Sequence, residues 1–194
     1  MATPTLRLAQ DDDADRMLSR DPLALLIGML LDQQFPMERA FTSPWLLARR
    51  LGRERLDAAE LAGWDPDAFA KVMAGPPALH RYPGAMAGRV QALCVHVVAD
   101  YGGDAAELWR GAASGAELLK RVRALPGFGE QKSRIFVALL GKQLGVRPEG
   151  WRVAAGPYGL EGSHRSVADV TDGASLARVR AFKQEAKRAS AKPG

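Results

Sequence analysis

The sequence predicts an all-α protein, and three observations carry this prediction. Apolar residues recur at helical spacing in most segments, as Met86, Val90 and Leu93 do. Proline and capping residues mark helix starts, of which Asp21-Pro22 is the clearest. No convincing pair of strands with alternating polarity occurs, and no internal repeat divides the chain. The expected architecture is therefore built of helices alone.

The first half of the chain contains five predicted helices. Asp21-Pro22 starts an apolar run over residues 23–35, which predicts a buried helix with a polar end, interrupted by Pro36. Ser43-Pro44 repeats the start signal and predicts a second helix. Two short helices are expected over residues 56–61 and 67–73, and a longer one over 86–98.

Two helices in the second half are joined by a short segment rich in glycine. A short helix is expected around residues 105–109, and the next runs from Ser114 to Pro126. Glycines at 127 and 129 precede a helix over 131–144, and a final helix covers about 176–189. We therefore divide the chain into a flexible segment (1–20), a helical core (21–145), an irregular segment rich in glycine and proline (146–175), and a basic helix and tail (176–194).

Composition and charge narrow the class of protein. The chain is 47% hydrophobic and 25% charged, which is typical of a compact globular domain. Its single cysteine, Cys94, excludes an internal disulfide and an iron–sulfur cluster held by cysteines of this chain. The net charge is +5, and the segment from Arg178 to the end alone carries six basic residues and one acid. Such a tail is consistent with a polyanionic partner such as nucleic acid.

The segment that connects the two later helices is suited to an anion. It reads Leu125-Pro126-Gly127-Phe128-Gly129, and glycine at two positions allows a tight reversal with no side chain to hold a ligand away. The free amides of this turn and of the helix that follows can bind a phosphate oxygen. Contacts of this kind hold a nucleic-acid backbone without reading its sequence.

At this point the chain resembles the helix-hairpin-helix DNA glycosylase superfamily, which includes endonuclease III, the adenine glycosylase acting on mispairs, and the alkylbase glycosylases. Residues 124–129 are similar to the family's hairpin. The run 25–34 is similar to its early helix, which ends in a glutamine at the DNA interface. The helix over 85–98 lies where the family has its lysine- or arginine-bearing helix. The resemblance covers roughly residues 20–145 and implies a helix-hairpin-helix DNA glycosylase-like fold.

The resemblance implies base-excision repair of duplex DNA, in which the target nucleotide is flipped out of the stack. Gln34 is the candidate for contacting the vacated stack, and the alternative is a plain glutamine at a helix end beside the core. The grip on the DNA backbone would come from the hairpin and the start of the next helix: Pro126, Gly127, Phe128, Gly129, Lys132, Ser133 and Arg134.

The family's chemistry implies an aspartate that supports cleavage of the N-glycosidic bond and, in the lyase branch, a lysine that attacks the sugar. The lyase position holds Gln131, and Lys132 lies one place further along, which rotates the side chain by about 100 degrees on a helix. Lys132 therefore stays open between a catalytic role, a phosphate contact and exposure to solvent. We expect hydrolysis of the glycosidic bond without strand cleavage by a lysine.

Three carboxylates compete for the catalytic position. Ungapped spacing from the hairpin favours Glu149, although the family's Val-Asp-Thr-His context is absent around it. A gapped interpretation favours Asp172, which would cap the last helix and, as a cap alone, would contribute on the order of 1 kcal/mol. Asp169 is the third candidate. A non-catalytic DNA-binding protein, which keeps the grip and has lost the acid, remains the alternative function, and a protein-interaction hairpin is a third.

The sequence implies no cofactor. The cysteines that hold the iron–sulfur cluster of many endonuclease III relatives are missing, and His80, His96 and His164 show no metal-ligand spacing. Duplex DNA is the expected partner of a monomer. No signal-peptide core and no membrane-spanning run occurs, so we expect no membrane partner and a cytoplasmic location, associated with the nucleoid in a bacterium.

Overall fold

The computed structural model describes residues 6–190, which form α-helices and two 3₁₀ turns with no β-strand among them. This confirms the all-α class. Residues 1–5 of the predicted flexible segment and residues 191–194 of the predicted basic tail, including Lys192, lie outside the described residues. The α-helices are α1 (Asp12–Arg20), α2 (Pro22–Leu31), α3 (Met37–Arg50), α4 (Ala58–Gly63), α5 (Pro66–Ala74), α6 (Pro83–Tyr101), α7 (Glu107–Arg110), α8 (Gly115–Ala124), α9 (Glu130–Gln143), α10 (Trp151–Ala155) and α11 (Gly173–Ser190).

The strongest packing between helices falls into two groups that share one hydrophobic core. Helices α1 to α6 pack on one another, and α7 to α11 do the same together with the two 3₁₀ turns, Gly156–Gly159 and Val167–Asp169. The largest fully buried side chains are three phenylalanines, Phe41 and Phe69 in the first group and Phe136 in the second. The end of α2 meets the start of α9 at the boundary between the groups, because Lys132 bonds to carbonyl oxygens of Met29 and Leu30.

The N-terminal segment differs from the flexible stretch expected over residues 1–20. Helix α1 forms there, capped by Asp11, and Leu6 and Leu8 are fully buried. The buried Asp15 carboxylate accepts a hydrogen bond from the Ala9 amide at 2.8 Å. The prediction of a flexible segment is therefore wrong for residues 6–20, because apolar burial and this side-chain hydrogen bond hold them in place. The apolar pattern in this segment is too short for sequence periodicity to predict the helix.

Helix α3 starts earlier than the Ser43-Pro44 signal predicts. It begins at Met37, so Pro44 lies inside the helix and removes one backbone donor. The helix continues because Met37, Phe41 and Leu47 belong to one buried face. Ser43 is buried and donates its hydroxyl to the carbonyl oxygens of Arg39 and Leu79, at 2.7 Å each. Tertiary packing here overrides a local start signal.

The segment 146–175, predicted to be irregular, is irregular only in part. It contains α10 and both 3₁₀ turns, which cover one side of α9. The final helix begins at Gly173, and the Asp172 carboxylate caps it by accepting a hydrogen bond from the Ser175 amide at 2.6 Å. Within residues 6–190 no helix has both the length and the apolar character needed to cross a membrane.

Candidate functional site

A cleft of about 750 Å³ lies where the two groups of helices meet. Its walls are the turn after α2, the first turns of α9, the 3₁₀ turn at Pro157 and Tyr158, and the outer face of α11. The residues that line it are Met29, Asp32, Gln33, Gln34, Phe35, Gln131, Lys132, Ile135, Pro157, Tyr158, Arg165, Phe182, Lys183 and Ala186. A volume of this size is within the range of about 300–1,000 Å³ that is typical of small-molecule sites.

Hydrogen bonds of Gln33 hold the turn after α2 in place, and the next residue, Gln34, is exposed to solvent. The neighbouring Gln33 is the anchor: its side-chain oxygen accepts from Arg89 at 2.9 Å, and its backbone oxygen lies 3.0 Å from the His80 ring nitrogen. Burial lowers the pKa of His80, so its neutral ring can donate to that oxygen while it accepts from the Tyr82 amide. Gln34 itself is exposed and has a positive φ of 51°. Its exposure argues against the alternative of a glutamine packed beside the core.

Lys132 points into the cleft wall rather than away from the molecule. Its ammonium group donates to the carbonyl oxygens of Met29 at 2.7 Å and Leu30 at 3.0 Å. These carbonyls belong to the last turn of α2, where a cation is favoured by unpaired acceptors and by the helix dipole. Burial nevertheless dominates and lowers the pKa of Lys132 to about 8. The structure thus places beside the cleft a lysine that loses its proton at a lower pH than an ordinary lysine does.

Asp32 is the carboxylate of the cleft, and the sequence analysis did not single it out. It follows α2 directly, and burial raises its pKa against the opposing attraction of Lys183 and Lys132. Within residues 6–190 its carboxylate receives no hydrogen bond, so burial is opposed by charge alone. A single acid at the end of the apolar run 22–31 is the sequence signal that could have identified it. Buried groups with shifted pKa values are candidates for acid–base chemistry.

The hairpin forms the tight reversal that the two glycines predict. Gly127 has a φ of 83°, which favours glycine, and a Cβ atom there would lie 2.4 Å from Leu30. Gly129 is the N-cap of α9, with a φ of −74° and open space around its Cα. Both glycines are exposed, and no side chain among residues 6–190 caps α9. The first amides of this helix therefore face an accessible surface close to the cleft.

Three charged side chains form ion pairs beside the hairpin. Glu130, in the first turn of α9, forms ion pairs with Arg123 at 2.8 Å and Arg134 at 2.6 Å. Arg134 also donates to the Ala154 carbonyl at 2.9 Å. Two guanidinium groups around one carboxylate leave a net positive charge beside the exposed amides.

Comparisons of this chain with protein-family models, with curated proteins and with solved structures find no match. Its function is therefore argued from the geometry of the cleft and the hairpin.

Two of the predicted DNA-binding side chains face the interior. Phe128 is buried and packs edge-on against Phe136, with ring centroids 6.0 Å apart. Ser133 is fully buried, and its hydroxyl lies 3.4 Å from the Phe128 carbonyl oxygen. These two side chains support the turn from within, because an exposed Gly-Phe-Gly reversal needs an apolar anchor on one side. Their predicted contact with DNA through side chains does not fit this burial.

The three predicted catalytic carboxylates lie outside the cleft. Glu149 is exposed and lines a separate groove, which Lys120 and Arg134 also line. Asp169 is buried and paired with Lys142 at 2.5 Å. Asp172 is exposed, and its hydrogen bonds with Ser175 lower its pKa, as expected for a cap. Of the candidate catalytic residues, the structure brings only Lys132 to the cleft.

Aromatic rings form part of the cleft, and sequence analysis did not predict this. Phe35, Tyr158 and Phe182 come from three distant segments, and the Tyr158 hydroxyl accepts from the Gln131 side chain at 2.9 Å. The Arg165 guanidinium lies over the Phe182 ring at 5.3 Å. Phe182 belongs to α11, so the basic C-terminal helix is a wall of the cleft. Such rings can stack on a planar ligand.

Proposed function

We propose that this protein binds duplex DNA through the α8–α9 hairpin and removes a damaged or mispaired base by cleaving its N-glycosidic bond. The observation that supports the proposal best is the placement of Gln34 at a cleft that contains Asp32 and Lys132, with the hairpin beside it, where Gly127 lies against Leu30. The fold would then be that of a helix-hairpin-helix glycosylase without an iron–sulfur cluster. The protein would act alone, as a monomer.

The hairpin is suited to binding the phosphate backbone of DNA. Its amides are exposed at the start of α9, and they are supported by the net positive charge of Arg123 and Arg134 around Glu130. Amides and guanidinium groups bind phosphate oxygens whatever the base sequence. Binding through this surface should therefore be strong at low salt, weaken as salt rises, and differ little between sequences.

The cleft is suited to holding a nucleotide that has been flipped out of the duplex. An enzyme that acts on a base inside a duplex must take the base out of the stack and fill the gap. Gln34 stands exposed at the rim with its turn anchored through Gln33, so it can enter the duplex without rearrangement of the core. Phe35, Tyr158 and Phe182 can stack on the extruded base.

The grip is tested by replacing Gly129 with leucine. This position has open space and an ordinary φ, so the variant should fold, while the new side chain would hold a phosphate away from the amides. We expect affinity for every duplex to fall alike, by about tenfold, which corresponds to about 1.4 kcal/mol. Electrophoretic mobility shift or fluorescence anisotropy across a salt series measures the effect.

The matched control is Gly63→Leu, because Gly63 is also exposed with open space but lies on α4, outside the hairpin. Gly127 is unsuitable for this test, since its φ and the contact with Leu30 would make a side chain there disturb the fold. Unchanged affinity in folded Gly129→Leu, or an equal loss in both variants, would remove the hairpin from the interface.

A non-catalytic DNA-binding protein is the second candidate function. It is favoured by the position of Glu149, Asp169 and Asp172 outside the cleft. Incubation with duplexes that carry uracil, alkylated or oxidised bases, followed by detection of abasic sites, decides between the two. Persistent duplex binding with every lesion untouched would exclude the glycosylase and leave the binding protein.

A further inference from the structure

The charges that line the cleft are unequal. Among residues 6–190, Asp32 is the one acidic residue that lines the cleft, whereas three cationic residues line it: Lys132, Lys183 and Arg165. Lys132 is held in place by the carbonyl oxygens of Met29 and Leu30, so its charge cannot swing away from Asp32. A ligand with a positive charge would meet this fixed cation in a partly buried site, where charges are poorly screened.

Asp32 has the surroundings of a proton donor. Its carboxylate receives no hydrogen bond from residues 6–190, and burial favours its neutral, protonated form. The charged groups that face it come from three elements: Lys132 on α9, Lys183 on α11 and Glu38 on α3. The two lysines lower the pKa of Asp32 and Glu38 raises it, and burial outweighs them all. A carboxyl group whose protonated form is favoured by burial donates a proton to a leaving group more readily at neutral pH than an ordinary aspartate does.

We infer that Asp32 is the general acid of the cleft and that the base it releases is electrically neutral. The inference rests on the proposed function and names its substrate class. A neutral base departs poorly as an anion, whereas an alkylated cationic base already carries the charge that makes it leave. The cleft supplies the proton that the first kind needs and repels the second kind.

The reaction balances with water as its co-reactant. The C1′–N bond breaks, its electron pair goes to the base nitrogen, and the Asp32 hydroxyl gives its proton to the departing base. A water molecule then forms a bond to C1′ and loses a proton to the Asp32 carboxylate, which restores the acid.

The experiment measures single-turnover excision with saturating protein. Duplexes carry a neutral lesion (uracil, hypoxanthine or 8-oxoguanine) or the cationic 7-methylguanine. We expect excision of at least one neutral base and none of 7-methylguanine. Asp32→Asn should slow this excision by about 100-fold or more, the usual contribution of a general acid, and keep duplex affinity within about twofold.

Three variants separate the explanations. Asp67→Asn removes an exposed carboxylate of α5 and should excise at the rate of the unaltered protein. Glu149→Gln tests the carboxylate that sequence spacing favours, and a loss there with full activity in Asp32→Asn would overturn the inference. Lys183→Gln removes a cation that lowers the pKa of Asp32, so the fall of the excision rate with rising pH should move to higher pH. A merely structural role of Asp32 would not produce that movement.

The outcomes for this inference and for the proposed function are distinct. Preferential release of 7-methylguanine, or full activity of Asp32→Asn, would overturn the inference and leave a glycosylase. An unaltered protein that binds duplex DNA and releases no base would overturn the proposed catalysis, and the inference would fall with it.

Discussion

Helix α9 carries a lysine at each end that faces an aspartate, and the two ends differ in how those aspartates are satisfied. At its C-terminal end Lys142 pairs with Asp169 at 2.5 Å, and the backbone amides of Arg165 and Ser166 also donate to that carboxylate, at 2.8 and 3.2 Å. At its N-terminal end Lys132 bonds to backbone carbonyls instead, and Asp32 receives no hydrogen bond from residues 6–190.

The difference separates a structural pair from a chemical one. A buried carboxylate that accepts several hydrogen bonds is held in one position by its donors. A carboxylate without donors, in a cleft open to a ligand, can exchange a proton and accept a new partner. The environment of each aspartate, and not its residue type, therefore makes Asp169 a structural group and Asp32 the candidate for chemistry in the cleft.

The largest expected effect tests the structural pair. Asp169→Ala leaves Lys142 without its partner and deprives two backbone amides of their acceptor, so it should lower the free energy of unfolding by about 3 kcal/mol. Asp32→Asn should cause no loss of stability, because it removes a charge that burial disfavours. Urea unfolding of both variants measures this contrast. Equal losses of unfolding free energy in the two variants would show that Asp169 and Asp32 do not differ in their contribution to stability.

A smaller effect depends on pH and on Lys132. Its pKa is about 8 in the folded protein against an ordinary value of 10.5, so between these limits the unfolded chain binds more protons. The free energy of unfolding should therefore rise with pH from about 8 to 10.5, relative to Lys132→Gln. Paired denaturant titrations of both proteins across that range measure the difference. A flat or falling difference would show that the ammonium group is not destabilised by burial.

The smallest effect concerns the turn that carries Asp32. Gln34→Gly relieves a positive φ and should stabilise the fold by at most about 1 kcal/mol, because glycine also gains freedom in the unfolded chain. The same change removes the side chain proposed to fill the vacated stack, so affinity for a lesion duplex should fall while affinity for undamaged duplex stays. Melting temperature and binding are compared on one preparation. A higher melting temperature together with weaker binding of the lesion duplex supports a side chain that contacts DNA. A fall in both the melting temperature and the affinity would make Gln34 a structural residue.

Local patterns predicted many of the helices and, of the cleft residues, Gln34 and Lys132 but not Asp32 or the aromatic rings. The helix-hairpin-helix resemblance remains a hypothesis, but the reversal at Gly127 and Gly129 forms as expected, and Gln34 stands at the rim of a cleft. Asp172 caps the last helix because its capping bond spans only three residues. The predicted catalytic carboxylates, Glu149, Asp169 and Asp172, do not line the cleft, because spacing along the chain does not determine which groups the fold brings together.

The sequence by itself determined the helical class, the hairpin and the cap at Asp172, because periodicity and capping are settled by neighbours within one or two turns. The tertiary structure alone decided that α3 runs through Pro44, that residues 6–20 join the core, and that Asp32 lies with Lys132. Lys132 reaches the Met29 carbonyl across 103 positions of the chain. Burial and the charges that oppose it arise from such distant contacts, and no local pattern encodes them.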